Sequence, residues 1–176
     1  ADAEIKQLAI DLFGGAVSAD RVAVAKQYEA ALTIDASMER GIEVFRKTCA
    51  SCHRVDGVGH DVGPDISDVR NRARDALLYD ILDPNRKVEP RFNDYTVITI
   101  DGIVINGLLV TETAKTVVLR QAENKQVVIQ RDQIDEMHAS GKSLMPEGVE
   151  KTVSVQQMAD LLEYLKQRTV RSAAGR

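Results

Sequence analysis

The chain has 176 residues, 44% of them hydrophobic and 28% charged, which suits one domain, or a domain with an appendage, able to bury a sizeable core. A formal charge of −4 excludes a nucleic-acid partner held by bulk electrostatics, and no segment reaches the roughly 18 to 20 apolar residues that span a bilayer. No basic stretch followed by an apolar run marks a secretory leader, which fits a processed or truncated secreted chain as well as a cytoplasmic one.

Residues 1 to about 34 read as helical, with Leu8, Ile10, Leu12 and Phe13 before a Gly14-Gly15 break and a second stretch from Ala19 to Leu32. Neither part carries recognisable chemistry, and the segment reads as a connecting arm or packing appendage. A helix then runs from near Ser37 to Cys49, with Ile42, Val44 and Phe45 as its apolar positions. It leads directly into Cys49-Ala50-Ser51-Cys52-His53, the C-x-x-C-H arrangement of covalent haem attachment. Two thiols at this spacing on a helical turn both reach the haem vinyl groups, and the next residue points its imidazole at the iron from the same side. A structural zinc site would need four ligands, and beyond the motif only the unpaired His60 and His138 remain. A thioredoxin-like dithiol would follow a strand, whereas a helix precedes this one. Covalent attachment prevents haem loss, which suits work outside the cytoplasm. A buried macrocycle would also supply bulk to a chain with 4% aromatic residues and no Trp.

Glycines punctuate the segment from Gly57 to Pro64, which reads as a loop over a haem edge; it lacks the pattern of a phosphate cradle. Residues 72 to 82 form a helical pattern through Ala76, Leu77, Leu78, Ile81 and Leu82, ended by Asp83-Pro84. The period then changes. Tyr95 to Ile100 and Ile103 to Thr111 read as a hairpin about Asp101-Gly102, and Thr116 to Arg120 and Gln126 to Gln130 as two further strands around Ala122 to Lys125. These predict an antiparallel sheet of about four strands. Ile134 to His138 reads as a short helical turn. Ser154 and Gln157 predict a capping box at the start of a last helix striped by Val155, Met158, Leu161, Leu162 and Leu165.

A six-coordinate haem needs a ligand opposite His53, and Met is the usual one in electron transfer because its soft thioether favours reduced iron. Met38 opens the helix before the motif and is poorly placed for the far face. Met158 falls in the last helix's apolar stripe, and Met137 in the short turn. Met145 stands in a loop, Gly141 to Gly148, where Pro146 restricts it to extended backbone and helps present its side chain. A gap-filling loop Met is the plainer alternative. His60 and His138 are rival ligands: His60 follows His53 closely, on the proximal side or in solvent, and His138 reaches the distal face only if its loop folds differently.

With Cys49 to His53, Gly63-Pro64-Asp65 and Ser143-Leu144-Met145-Pro146 in order, the chain resembles a class I cytochrome c. The resemblance implies that Pro64 lies near His53 and that its carbonyl accepts the imidazole N–H, orienting the ring. It also implies terminal helices crossing through a Gly and an aromatic, matched by Gly41 and Phe45 on the first and Tyr164 on the last. The span from His53 to Met145 is longer than usual in small cytochromes c, the extra material being the expected sheet, roughly residues 93–131. Asp83-Pro84-Asn85, Tyr95-Thr96-Val97, Asp101-Gly102, Gly107, residues 131–136, Ser143 to Gly148 and residues 160–165 resemble a narrower family, the haem-binding cytochrome c domain abundant in planctomycetes and verrucomicrobia. This resemblance covers about residues 38–167.

The fold class it implies is mainly α with inserted β (α+β): a cytochrome c helical fold around one haem, with a small antiparallel sheet between the third core helix and the distal-ligand loop. Residues 1–36 are expected as an N-terminal helical arm or linker and 37–176 as the cytochrome c domain. One covalently bound haem c would be held by Cys49, Cys52, His53, Pro64 and Met145, with His53 and Met145 on the iron. The implied function is electron transfer rather than enzymatic turnover, in the periplasm or another extracytoplasmic space. Expected partners are a redox protein or a fused dehydrogenase-like domain, because in that family the domain often ends a longer polypeptide. The sheet is a candidate homodimer surface. The rival function is a haem enzyme or a gas or peroxide sensor with an open or labile distal site. Arg70, Arg72 and Arg74 are its polar candidates, unless they are solvated surface charge.

Overall fold

Residues 19–167 are described by a computed structural model; the helix expected around Leu8 to Phe13 and the Gly14-Gly15 break lie outside them. Among the described residues there are four α-helices and two antiparallel sheets, compatible with an α+β cytochrome c. The helices are α1 (Ala19–Tyr28), α2 (Met38–Thr48), α3 (Arg74–Leu82) and α4 (Val155–Gln167). No helix among these residues is long and apolar enough to cross a membrane.

Local chemistry sets the ends of the two principal helices. Ser37 is extended, and its side chain accepts the Arg40 N–H, starting α2. At the other end the Cys49 N–H donates to the Phe45 carbonyl, so the attachment motif begins on the helix's last turn. In α4 the capping box forms reciprocally: the Gln157 N–H donates to Ser154 Oγ at 3.2 Å and the Ser154 N–H to Gln157 Oε1 at 2.9 Å. The expected stripe follows, with Met158, Leu161, Leu162 and Leu165 buried. Each large apolar side chain so buried contributes about 1.5–3 kcal/mol.

Gly41 is where α2 and α4 meet. A Cβ there would lie 2.0 Å from the Asp160 carbonyl oxygen and 2.7 Å from Tyr164 Cβ, so only glycine permits the approach. One turn on, the Phe45 and Tyr164 rings meet at 5.6 Å between centroids and 51° between planes. The Asp160 side chain locks the crossing. Only 1% exposed, it accepts from the Ser37 N–H at 2.8 Å and from Arg40 Nε and Nη2 at 2.7 and 2.8 Å. Burial works against its charge, but these bonds and one from Gln156 outweigh it and hold the carboxyl below its usual range. Residues of α1 and of the turn after it join the same core: Ala25, Tyr28 and Ala31 are buried, and Tyr28 Oη donates to the Val153 carbonyl at 2.6 Å. Arg21 pairs with Glu150 at 2.8 Å.

A two-stranded hairpin, β1 (Arg54–Val55) and β2 (Val58–Gly59), follows the attachment motif. Asp56 and Gly57 both take positive φ, giving the type I′ turn that suits a two-residue hairpin loop. Its second strand falls within Gly57 to Pro64, the segment expected as a loop.

The larger sheet contains β3 (Asn93–Thr99), β4 (Val104–Glu112), β5 (Thr116–Arg120), β6 (Gln126–Gln130) and β7 (Ile134–Ser143), in the order β6-β5-β4-β3-β7. At the β3–β4 connection the Gly102 N–H donates to the Thr99 carbonyl at 2.8 Å with Gly102 at φ 77°, a three-residue loop ending in a glycine bulge. Val97, Val117, Leu119 and Ile129 form its own small core.

The sheet corrects the sequence reading in two respects. It has five strands rather than four, and it extends to Ser143 rather than ending near residue 131. The additional strand includes Ile134 to His138, which was expected as a helical turn. The reason lies in the ladder: β7 pairs with β3 through two register shifts, and its half-buried positions Ile134, Met137, Ser140 and Ser143 recur every third residue. Irregular pairing thus imitates the helical interval and hides the two-residue period of a strand.

Candidate haem-attachment site

The site begins where α2 ends. The Cys52 and His53 N–H groups both donate to the Cys49 carbonyl, at 3.0 and 2.8 Å, which coils the motif into one more turn. The following loop folds back on it: the His60 N–H donates to the Ala50 carbonyl, and the Val62 and Gly63 N–H groups donate to the Cys52 carbonyl at 3.1 and 2.7 Å. Arg54 ties the loop from outside, pairing with Asp61 and with Asp65, the latter at 3.2 Å.

This folding-back fixes His53. Its Nδ1 lies 2.9 Å from the Pro64 carbonyl oxygen. That oxygen can only accept, so the proton sits on Nδ1, leaving Nε2 with a free lone pair. Gly63 packs against the imidazole so closely that a Cβ would lie 2.6 Å from Cε1. Burial, opposed by the bond to Pro64, pushes the His53 pKa down and favours the neutral ring.

The Cys49 thiol differs from that of a redox dithiol. Cys49 and Cys52 are both free, without a disulfide. Burial, with a smaller effect from Cys52, pushes the Cys49 thiol up to about 12. Reactive dithiols instead have a depressed pKa. Nor do the described residues hold any cluster of three or more His, Cys, Asp or Glu side chains that suits a metal ion, so the zinc reading lacks its ligands.

A cleft of about 690 Å³, counting the part open to solvent, lies beside the motif. Cys52, His53, Pro64, Leu144 and Met145 all line it. The half-buried Met145 is held by its own loop, its N–H donating to Ser143 Oγ at 3.1 Å. Cys49 lies outside this lining and packs against the helical core. The rival histidines are elsewhere: neither His60 nor His138 lines the cleft, and His138 is an exposed residue of β7 opposite Thr96. Met158 is buried in the helical core, Met38 packs on its margin, and Met137 packs against the sheet's core. Arg72 and Arg74 pair with Asp80 and Glu163 at 2.5 and 2.6 Å, and neither they nor Arg70 line the cleft.

Several contributors were not legible in the sequence. Leu108 of β4 is buried and lines the cleft, bringing the sheet to the site. Arg120 Nη1 donates to the Asp61 carbonyl at 2.9 Å, and the Glu123 N–H donates at 2.7 Å to the carbonyl of Ser51, between the two cysteines. Asn85 reaches the Met145 loop. No local pattern announces such contacts, because each partner is far away in the chain.

The residues present fit a haem c: two free thiols, an imidazole with its outer nitrogen engaged, and a glycine that leaves room for the ring. Residues 38–98 match the family model described as Cytochrome c. That match supports a cytochrome c-type haem-binding domain, and the family points to haem-based electron transfer. It includes Cys49 to His53 and Pro64 and stops short of Met145. Comparison with curated proteins gives no match.

Proposed function

We propose that this chain is a mono-haem c-type cytochrome that carries electrons, in which Cys49 and Cys52 would hold the haem covalently and His53 and Met145 would ligate its iron. The observation that carries this reading is a single cleft lined by Cys52, by His53 with its Nδ1 engaged, and by Met145. When bound, the haem supplies one-electron iron chemistry whose potential is set by ligand identity and surroundings. The chain's own task is geometric. Pro64 holds the imidazole, Gly63 admits it, and Leu108 adds apolar cover. Residues 37–176 form the cytochrome c domain in this reading, with 1–36 as an arm.

Its partners are a redox protein or a fused dehydrogenase-like domain, its place is extracytoplasmic, and its subtype is the planctomycete and verrucomicrobial one with a sheet between α3 and the ligand loop. The sheet is also the surface proposed for homodimerisation. The test is the ferric spectrum of the matured wild type and of Met145→Ala. A far-red charge-transfer band of sulfur-ligated haem, present in the first and lost in the second, is expected. A band that persists in Met145→Ala would overturn the ligation.

A further inference from the structure

Asn85 joins the two ends of the Met145 loop. Its Oδ1 accepts the Ser143 N–H at 2.8 Å, and its Nδ2 donates to Glu147 Oε1 at 2.6 Å. The amide can satisfy a backbone donor and a carboxylate acceptor together in only one orientation, so its two ends are unambiguous. Ser143 then passes the constraint on, its Oγ accepting the Met145 N–H at 3.1 Å. Asn85 itself follows the end of α3 through Asp83 and Pro84. Asp83 is buried, its N–H donates to the Tyr79 carbonyl at 2.9 Å, and Pro84 lines the cleft. A helix end fixed in the core therefore supports an amide that grips the loop on both sides of the methionine.

We infer that Asn85 is a positioning residue that holds the Met145 thioether in place. The inference rests on the proposed ligation by Met145 and adds a residue to it. Without Asn85, the loop keeps its sequence but loses both ties to α3. The thioether then spends more time away, and an added ligand competes more easily. Loss of one to two ordinary hydrogen bonds corresponds to roughly a tenfold change in such an equilibrium.

The experiment uses the matured holoprotein and imidazole as the competing ligand. Asn85→Ala is expected to weaken the far-red band and to tighten ferric imidazole binding by roughly tenfold. Glu147→Ala, which cuts one tie at an exposed residue, should move both readouts the same way by less. Asn85→Asp keeps the acceptor for Ser143 but sets a carboxylate against Glu147. Adding Glu147→Gln then restores a donor–acceptor pair with its direction reversed, and should return both readouts toward wild type. A structural contribution alone would not produce that rescue.

Wild-type band and imidazole affinity in Asn85→Ala, with the band lost in Met145→Ala, would overturn the inference and leave the ligation standing. Failure of the paired exchange to improve on Asn85→Asp would also overturn it, even if Asn85→Ala does not fold. A band unchanged in Met145→Ala would instead remove the ligation reading on which the inference depends.

Discussion

The His53 imidazole gives its Nδ1 proton to the Pro64 carbonyl at 2.9 Å, while Gly63, next to Pro64, leaves no space for a side chain against the ring. The two contacts are one device: the loop can present Pro64 only because Gly63 lets it lie flat on the imidazole.

Gly63→Ala should therefore act on the histidine rather than on the backbone. Its Cβ would meet His53 Cε1 at 2.6 Å and Nδ1 at 2.9 Å, forcing the ring to tilt away from Pro64. We expect a loss of about 1–3 kcal/mol in denaturant unfolding of the holoprotein. A rise in midpoint potential should accompany it, because an imidazole without its acceptor is a weaker donor to ferric iron. An unchanged potential would show that the Pro64 contact survives.

Gly41→Ala should be more severe. The added methyl would lie 2.0 Å from the Asp160 carbonyl oxygen, a backbone atom that cannot yield without parting α2 from α4. The loss should reach or exceed the upper end of the ~1–3 kcal/mol usual for overpacking, read as a lowered thermal midpoint.

Asp160 gives the fold an acid-sensitive joint. Its folded pKa lies below the ordinary carboxyl value, so its contribution is present above the unfolded pKa of about 3.9 and is lost as pH falls through the folded value. Asp160→Asn should cost about 1.5–3 kcal/mol near neutral pH, the range for hydrogen bonds to a charged group. The gap between variant and wild type should narrow below about pH 4. Urea titrations at a series of pH values measure both.

Glu123 should show slow amide exchange despite its place in a turn between strands. Its N–H is engaged with the Ser51 carbonyl at 2.7 Å, and Arg120, just before the turn, is tied to Asp61. Arg120→Ala should speed exchange at Glu123 by about tenfold if the two contacts hold the turn together, corresponding to about 1.4 kcal/mol. Hydrogen-exchange mass spectrometry resolves the peptide.

What could be read in advance depended on how local the determinant was. The attachment motif, the helix start near Ser37, the Ser154 capping box and the α4 stripe each reside in a few adjacent residues, and each is legible. Strand β7 is not, because its register is set by β3, and its bulges turn an alternating pattern into one of every third residue. Within the site, Cys49, Cys52 and His53 stand out by spacing, and Met145 by the proline that follows it. Leu108 and Arg120 carry no such mark; an apolar residue and a cation in a strand acquire their roles only when the sheet lies against the loop of Asp61. Asn85 stood in a recognisable sequence pattern without a visible purpose until its two hydrogen bonds gave it one.

Strand β7 ends at Ser143, only two residues before Met145, and Ser143 pairs with Asn93 on β3. The ladder thereby acts as a ruler for the sulfur. A slip of two residues along it would keep every side chain on its own face yet carry Met145 by about 7 Å, at roughly 3.4 Å per residue. The bulges that made the strand hard to recognise also make such a slip costly, since each fits its partner at one place only. Irregularity here serves as a calibration mark.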